Sequence, residues 1–145
     1  MPTSIQQFQE SWDAFRATID FEEISDTLGL VPHSCGENTM SMSMELAPHL
    51  RQAGGMFSAT SLFGAADLTG TFLAMQVARP GSFPLAVQSN LNFLSNTLVG
   101  PVIATARPLR VGRSTIVASV EVGDAHGKLL VASTFTYLSK ATTAS

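Results

Sequence analysis

Apolar positions along the chain change their spacing twice, and the changes divide it into elements. Ile5, Phe8, Trp12, Phe15 and Ile19 recur at intervals of three and four, with Gln6, Gln9, Glu10 and Asp13 between them, which is the period of an amphipathic helix. The stripe predicts a cover packed on one side of a core, and its polar face carries acids instead of the lysines of a membrane-surface helix. Over 39–45 the period becomes two, and Met40, Met42 and Met44 share one face of a strand. That face reads as core or, because unbranched thioethers adapt to shape, as the wall of an acyl pocket. Residues 48–55 read as loop, and 58–77 as a helix entered through the capping residue Ser58.

Beyond Pro80-Gly81 the pattern is strand to the end: 85–93, 102–111, 116–122 and 129–138. In the first of these, Leu85, Val87, Leu91 and Phe93 alternate with Gln88, Asn90 and Asn92. Asp124-Ala125-His126-Gly127 has the composition of a hairpin turn. A long helix after the first strand and a four-strand antiparallel meander after the helix predict an α+β domain. The expected organisation is a helical cover over 1–27, the main domain over 28–139 and a polar tail over 140–145 that frays.

With 145 residues, 45% hydrophobic and 13% charged, the chain is the size of one domain with a substantial core. A net charge of −3 and no run of Lys or Arg argue against nucleic acid as a partner. The charge is uneven: residues 1–28 hold six acids against Arg16, and the remainder holds seven bases against five acids. Cys35 stands alone, so no internal disulfide forms, which suits a reducing compartment. The first residues lack a basic region and an apolar signal core. The most apolar stretch, 62–77, is interrupted by Gly64, Asp67, Thr69, Gly70 and Thr71 and falls short of the ~20 residues of a span. The expectation is a cytoplasmic protein without membrane partners.

Between Glu45 and Glu121 the sole acidic residue is Asp67, set in a helix whose Leu62, Phe63, Ala65, Ala66, Leu68, Phe72, Leu73 and Met75 are apolar on nearly every side. Burying a carboxylate there is costly unless it is hydrogen-bonded or protonated. Asp67 is therefore a candidate catalytic acid or, alternatively, an anchor for a neighbouring loop. With Ser58 as cap, the amides of Ala59, Thr60 and Ser61 lack intrahelical partners and face outward at the positive end of the helix; they can hold an oxyanion or simply be solvated. Eight residues separate Ala59 from Asp67, on the order of 12 Å along a helix. If both act on one carbon, they come from different subunits, at a two-fold interface.

The stretch from Gly54 and Gly55 through Phe57, Ser58, Ala59, Thr60 and Gly64 to Asp67, then Val87-Gln88-Ser89-Asn90-Leu91-Asn92-Phe93-Leu94, Arg110-Val111-Gly112-Arg113-Ser114 and the 124–132 turn and strand resembles the hotdog thioesterases of the phenylacetate-degradation type. The resemblance covers about 28–138. It implies a hotdog fold, a long helix wrapped by an antiparallel sheet of five or six strands, with subunits joined sheet edge to sheet edge as a homodimer and often a dimer of dimers. It implies an acyl-CoA substrate with no separate cofactor. It implies Asp67 as nucleophile or general base, the Ala59 amide as oxyanion donor, and Thr71 as a hydroxyl that holds the carboxylate or water. Gly55, Ser58 and Thr60 fall among the substrate-contacting positions. The family's common His-Gly-Gly before the helix is Ser58-Ala59-Thr60 here, nearer to a subgroup with Ser-Gly-Pro.

Arg110 and Arg113, with Gly112 as a bend, are candidates for the phosphates of coenzyme A or are solvated. Gln88, Asn90 and Asn92 line a pocket, satisfy a subunit seam or face outward. Met40, Met42, Phe57, Phe63 and Phe93 suggest an apolar acyl pocket. Phosphate-loop, dinucleotide-turn and nucleophile-elbow signatures are absent, and His33, His49 and His126 have no metal spacing. The alternatives to hydrolysis are a non-catalytic acyl-CoA-binding protein and a hotdog dehydratase or hydratase, against which stands the lack of a histidine near the helix start or Asp67.

Overall fold

A computed structural model describes residues 1–141. Its first helix, α1 (Ile5–Ala17), starts at Ser4, whose hydroxyl accepts a 3.2 Å bond from the Gln7 amide. The stripe seen in the sequence is what it buries. Phe8 and Trp12 are buried and pack on Phe72, with ring centroids 5.7 and 5.1 Å away; each contributes about 2–3 kcal/mol by leaving water. A short second helix, α2 (Ile24–Leu28), is opened by a reciprocal Glu23–Asp26 capping box and closed by Gly29 at φ 67°, a left-handed conformation suited to glycine. Arg16 fastens the two helices, pairing with Glu23 at 3.3 Å and with Asp26, donating to the Ser25 hydroxyl at 2.6 Å, and lying over the Trp12 ring.

Six strands follow: β1 (Val31–Gly36), β2 (Thr39–Met44), β3 (Ser82–Phe93), β4 (Val102–Val111), β5 (Thr115–Asp124) and β6 (Leu129–Ala141). They form one antiparallel sheet in the order β1-β2-β4-β5-β6-β3. β1 and α2 are additions to the expected elements. β1 pairs with β2 through a turn in which Asn38 takes φ 57°; it contains Pro32 and is largely exposed, as an outer strand tolerates. The expected last turn is present: the Asp124 carboxylate accepts from the amides of His126 and Lys128 at 2.9 and 2.8 Å. Lys140 and Ala141, read as the start of the tail, pair with Phe83 and Ser82 in β6; the rest of that tail lies outside the described residues.

The long helix α3 (Ala59–Val77) lies against the sheet, its Leu62, Ala65, Ala66, Thr69, Gly70, Phe72, Leu73 and Ala74 all buried. It stops where Pro80 approaches, because the residue before a proline avoids helical geometry. Gly70 is set directly against the Tyr137 hydroxyl and Val120, leaving no room for a Cβ. Met40, Met42, Met44, Val120, Val122, Phe135 and Tyr137 close the core from the sheet side. The methionine face is therefore core.

β3 departs from simple alternation. Its pairing with β6 slips between Ala86 and Gln88, leaving Val87 as a bulged residue. A one-residue slip exchanges faces, so Leu85 (opposite Leu138) and Leu91 (opposite Ser133) fall on opposite faces by register, not on one face as expected.

Candidate active site

On one side of α3, Asp67 and Thr71 sit a turn apart, with Met75 a turn further and Leu68 beside them. These four help line a cavity of about 270 Å³ whose other walls include Trp12 and Phe15 of α1 and 83–86 of β3. Asp67 also lines a second, more open cavity of about 520 Å³, with Phe63, Phe135 and 86–89 of β3. The carboxylate thus stands where the two spaces adjoin, against the strand segment that carries the bulge. Burial pushes its pKa above the ordinary 3.8, while the Thr71 side chain pulls it down. A carboxylate with a raised pKa is suited to general-base work near neutral pH.

The backbone under Asp67 is held from the sheet. The buried Tyr137 donates its hydroxyl to the Asp67 carbonyl at 3.2 Å. Burial drives the Tyr137 pKa far up, Thr71 moderates the rise, and the Asp67 charge adds to it, so the phenol remains a donor. Tyr137 went unnoticed in the sequence; its single occurrence in the chain on a core-facing strand position was the available signal.

The helix start is built differently. The Ser58 hydroxyl accepts from the Ser61 amide at 3.0 Å, and Ser61 in turn donates to the Leu50 carbonyl at 3.1 Å. The preceding loop is clamped by bonds from the Ser58 amide to Leu50 and from the Asn96 side chain to Phe57, both 2.8 Å. Gly55, at φ 87°, shapes the same loop. Ala59 and Thr60 are exposed, and among the described residues their amides find no partner in the fold. The structure does not bring these amides to Asp67 within one chain: they are about two helical turns away along a rigid α3.

Other candidates fall elsewhere. Asn90 and Asn92 pair with Thr134 and Ala132 and line a hollow with Ser119 and Glu121 on the sheet face turned away from α3; Gln88 borders the open cavity beside Asp67. Arg113 lines a surface hollow with Arg79, Ser82, Ser114 and Ser139, which Arg110 does not enter. Gly112 makes the tight turn between β4 and β5, its amide donating to Thr115 at 2.8 Å. Met40, Met42 and Phe57 are buried in the core, Phe63 borders the open cavity, and Phe93 is exposed. The aromatic residues around the smaller cavity beside Asp67 are instead Trp12, Phe15, Phe72 and Phe83.

Among the described residues no helix is long and apolar enough to cross a membrane. No curated protein matches the chain. Solved structures share its architecture: a mutant thioesterase from Pseudomonas aeruginosa (TM-score 0.82, 19% identity, 92% of this chain and 94% of that one). The PaaI protein of the phenylacetic acid degradation operon of E. coli is similar at TM-score 0.77 and 18% identity, covering 90% of this chain and 94% of that one. A hypothetical thioesterase from Streptococcus pneumoniae, solved with coenzyme A, matches at TM-score 0.69 and 17% identity over 77% of this chain and 86% of that one. These likenesses establish the expected hotdog fold. The family model described as "Thioesterase superfamily" matches residues 54–131, from the loop before α3 to β6, and the chain belongs to that superfamily.

Proposed function

We propose that the protein hydrolyses the thioester of an acyl-coenzyme A, with Asp67 as the carboxylate that acts on the carbonyl carbon. The observation that carries the reading is a half-buried carboxylate of raised pKa at the junction of two cavities. Asp67 either attacks the carbonyl, forming an anhydride that water opens, or takes the proton of an attacking water. In both routes the C–S bond breaks, and a carboxylic acid and free thiol leave. Thr71 steadies the carboxylate, and an Ala59 amide carries the oxyanion. Arg113, with Arg79 beside it, and Arg110 are available for the phosphates of the nucleotide.

Because Ala59 and Asp67 are about 12 Å apart on one helix, the reading requires a second subunit. β3 is an outer strand with Leu85, Val87 and Phe93 exposed at 46, 59 and 48%. An unpaired, partly apolar edge of this length invites a second sheet, and pairing of two β3 strands makes the dimer; a dimer of dimers is the further expectation.

Release of free CoA from phenylacetyl-, benzoyl- and C4 to C16 acyl-CoA esters by wild type and Asp67→Asn tests the reading. Hydrolysis should fall about 10²–10⁴-fold in the variant. In a single turnover in ¹⁸O-water, label on Asp67 would establish direct attack, with water opening the anhydride at the aspartyl carbonyl. A second reading, acyl-CoA binding without hydrolysis, is favoured by Ser58-Ala59-Thr60 standing where the family usually has His-Gly-Gly; calorimetric binding with no CoA release from any ester would establish it.

A further inference from the structure

The smaller cavity beside Asp67 has an unusual division of labour. Asp67, Leu68, Thr71, Phe72 and Met75 come from α3, and 83–86 from β3, but Trp12, Phe15, Glu23 and Ser25 come from the N-terminal segment. All four of these lie outside the 54–131 stretch that carries the superfamily match. The part of the chain expected to be a mere cover therefore supplies part of the wall of a space that Asp67 also lines.

That wall is fixed in place. Phe8 and Trp12 are buried against Phe72, and Phe15 packs on both Trp12 and Phe72 with centroids 5.8 and 5.7 Å away. Arg16 joins α1 to the Glu23–Asp26 turn, and Ser25 is bonded to both Arg16 and Glu23. A wall held by stacked rings and an ion-pair cluster sets a definite depth, because packed side chains yield little. The cavity behind that wall has a volume of about 270 Å³.

We infer that the N-terminal segment sets the specificity of the site, with Trp12 and Phe15 ending the acyl channel and limiting the length of the acyl group it admits. This rests on the reading of Asp67 as the carboxylate at the thioester. The carbonyl lies at Asp67, the acyl tail runs toward α1, and the sulfur and pantetheine leave through the open cavity bordered by Val87 and Gln88.

The test uses calorimetric affinity of hexanoyl- and dodecanoyl-CoA for Asp67→Asn, alone and combined with Trp12→Ala or Phe15→Ala, alongside the same esters as substrates for the proteins with Asp67 intact. Hexanoyl-CoA should bind Asp67→Asn at least tenfold more tightly than dodecanoyl-CoA, and opening the wall should reduce or reverse that ratio. The effect in turnover should appear in kcat/KM for the long ester. Phe15 is half-buried, so Phe15→Ala keeps the fold even where Trp12→Ala loses it. A binding ratio unchanged in folded Phe15→Ala overturns the inference while leaving hydrolysis intact. A ratio that moves although wild type releases no CoA supports the wall and overturns the thioesterase reading instead.

Discussion

In the proposed reaction, the start and the middle of α3 offer two unlike tools. At the start, the proposed working group is backbone: Ala59 and Thr60 are exposed, and among the described residues their amides find no partner in the fold, the Ser58 cap being taken by the Ser61 amide. In the middle, it is a side chain, the Asp67 carboxylate, whose pKa burial raises and Thr71 tempers. A backbone donor survives changes of side chain, so an Ala-Thr start can do what glycines do elsewhere. A carboxylate cannot be replaced in that way, and its surroundings are correspondingly specific.

The sharpest way to break the contrast is to delete the backbone donor. Ala59 is the first residue of the helix, where proline is tolerated, and Ser58 is already extended at φ −69°, ψ 150°, as a residue before proline must be. Ala59→Pro should therefore fold normally, by circular dichroism and melting, yet lose about 10²–10³-fold in kcat. Mixing it with Asp67→Asn then tests where the two halves meet. Subunit exchange should restore activity to about a quarter of wild type, since a mixed dimer contains one site with both groups intact. No recovery after exchange, with mixed dimers shown by mass spectrometry, would mean that the two groups do not act across a subunit boundary.

A smaller effect is expected at Thr71. Removing its hydroxyl in Thr71→Val should cost about tenfold in kcat/KM, as for a hydrogen bond to a charged group. Because Thr71 lowers the Asp67 pKa and the proposed reaction uses the carboxylate, the acid limb of the pH profile should also move to higher pH. A profile that keeps its acid limb in Thr71→Val would separate the two residues.

The smallest effect is on stability. The folded pKa of Asp67 lies above its ordinary 3.8, so between these values the native state holds a proton that the unfolded chain has released. Stability of the wild type should fall as pH rises through that window and stay lower above it. Asp67→Asn lacks this term and should gain in melting temperature relative to wild type across the same window, with no relative gain below it. Parallel melting curves from acid to neutral pH check the sign.

Much of this contrast was legible in the residues. The isolation of Asp67 in an apolar helix, the Ser58 cap and the spacing of Ala59 from Asp67 are local features, and the structure carries them without change. The β1 strand was hidden because it is largely exposed and contains Pro32, so no apolar alternation marks it. The Val87 bulge was hidden because register belongs to a strand pair and not to one strand. The amphipathic stripe of α1 announced that Trp12 and Phe15 would be covered; it could not say that the covering space adjoins Asp67, which depends on where Phe72 and β3 converge.

The Arg16 cluster has an electrostatic consequence. Arg16 is the one base among residues 1–28, and its charge is taken up by Glu23 and Asp26. Glu10, Asp13, Asp20 and Glu22 remain exposed around it, giving the cover a negative field, while the rest of the chain holds an excess of bases. A ligand with a polyanionic head and a neutral tail is torqued by such a field before it touches the surface. Its phosphates are turned away from α1 and its tail toward it, so the charge pattern selects the direction of entry, an effect that added salt would erase.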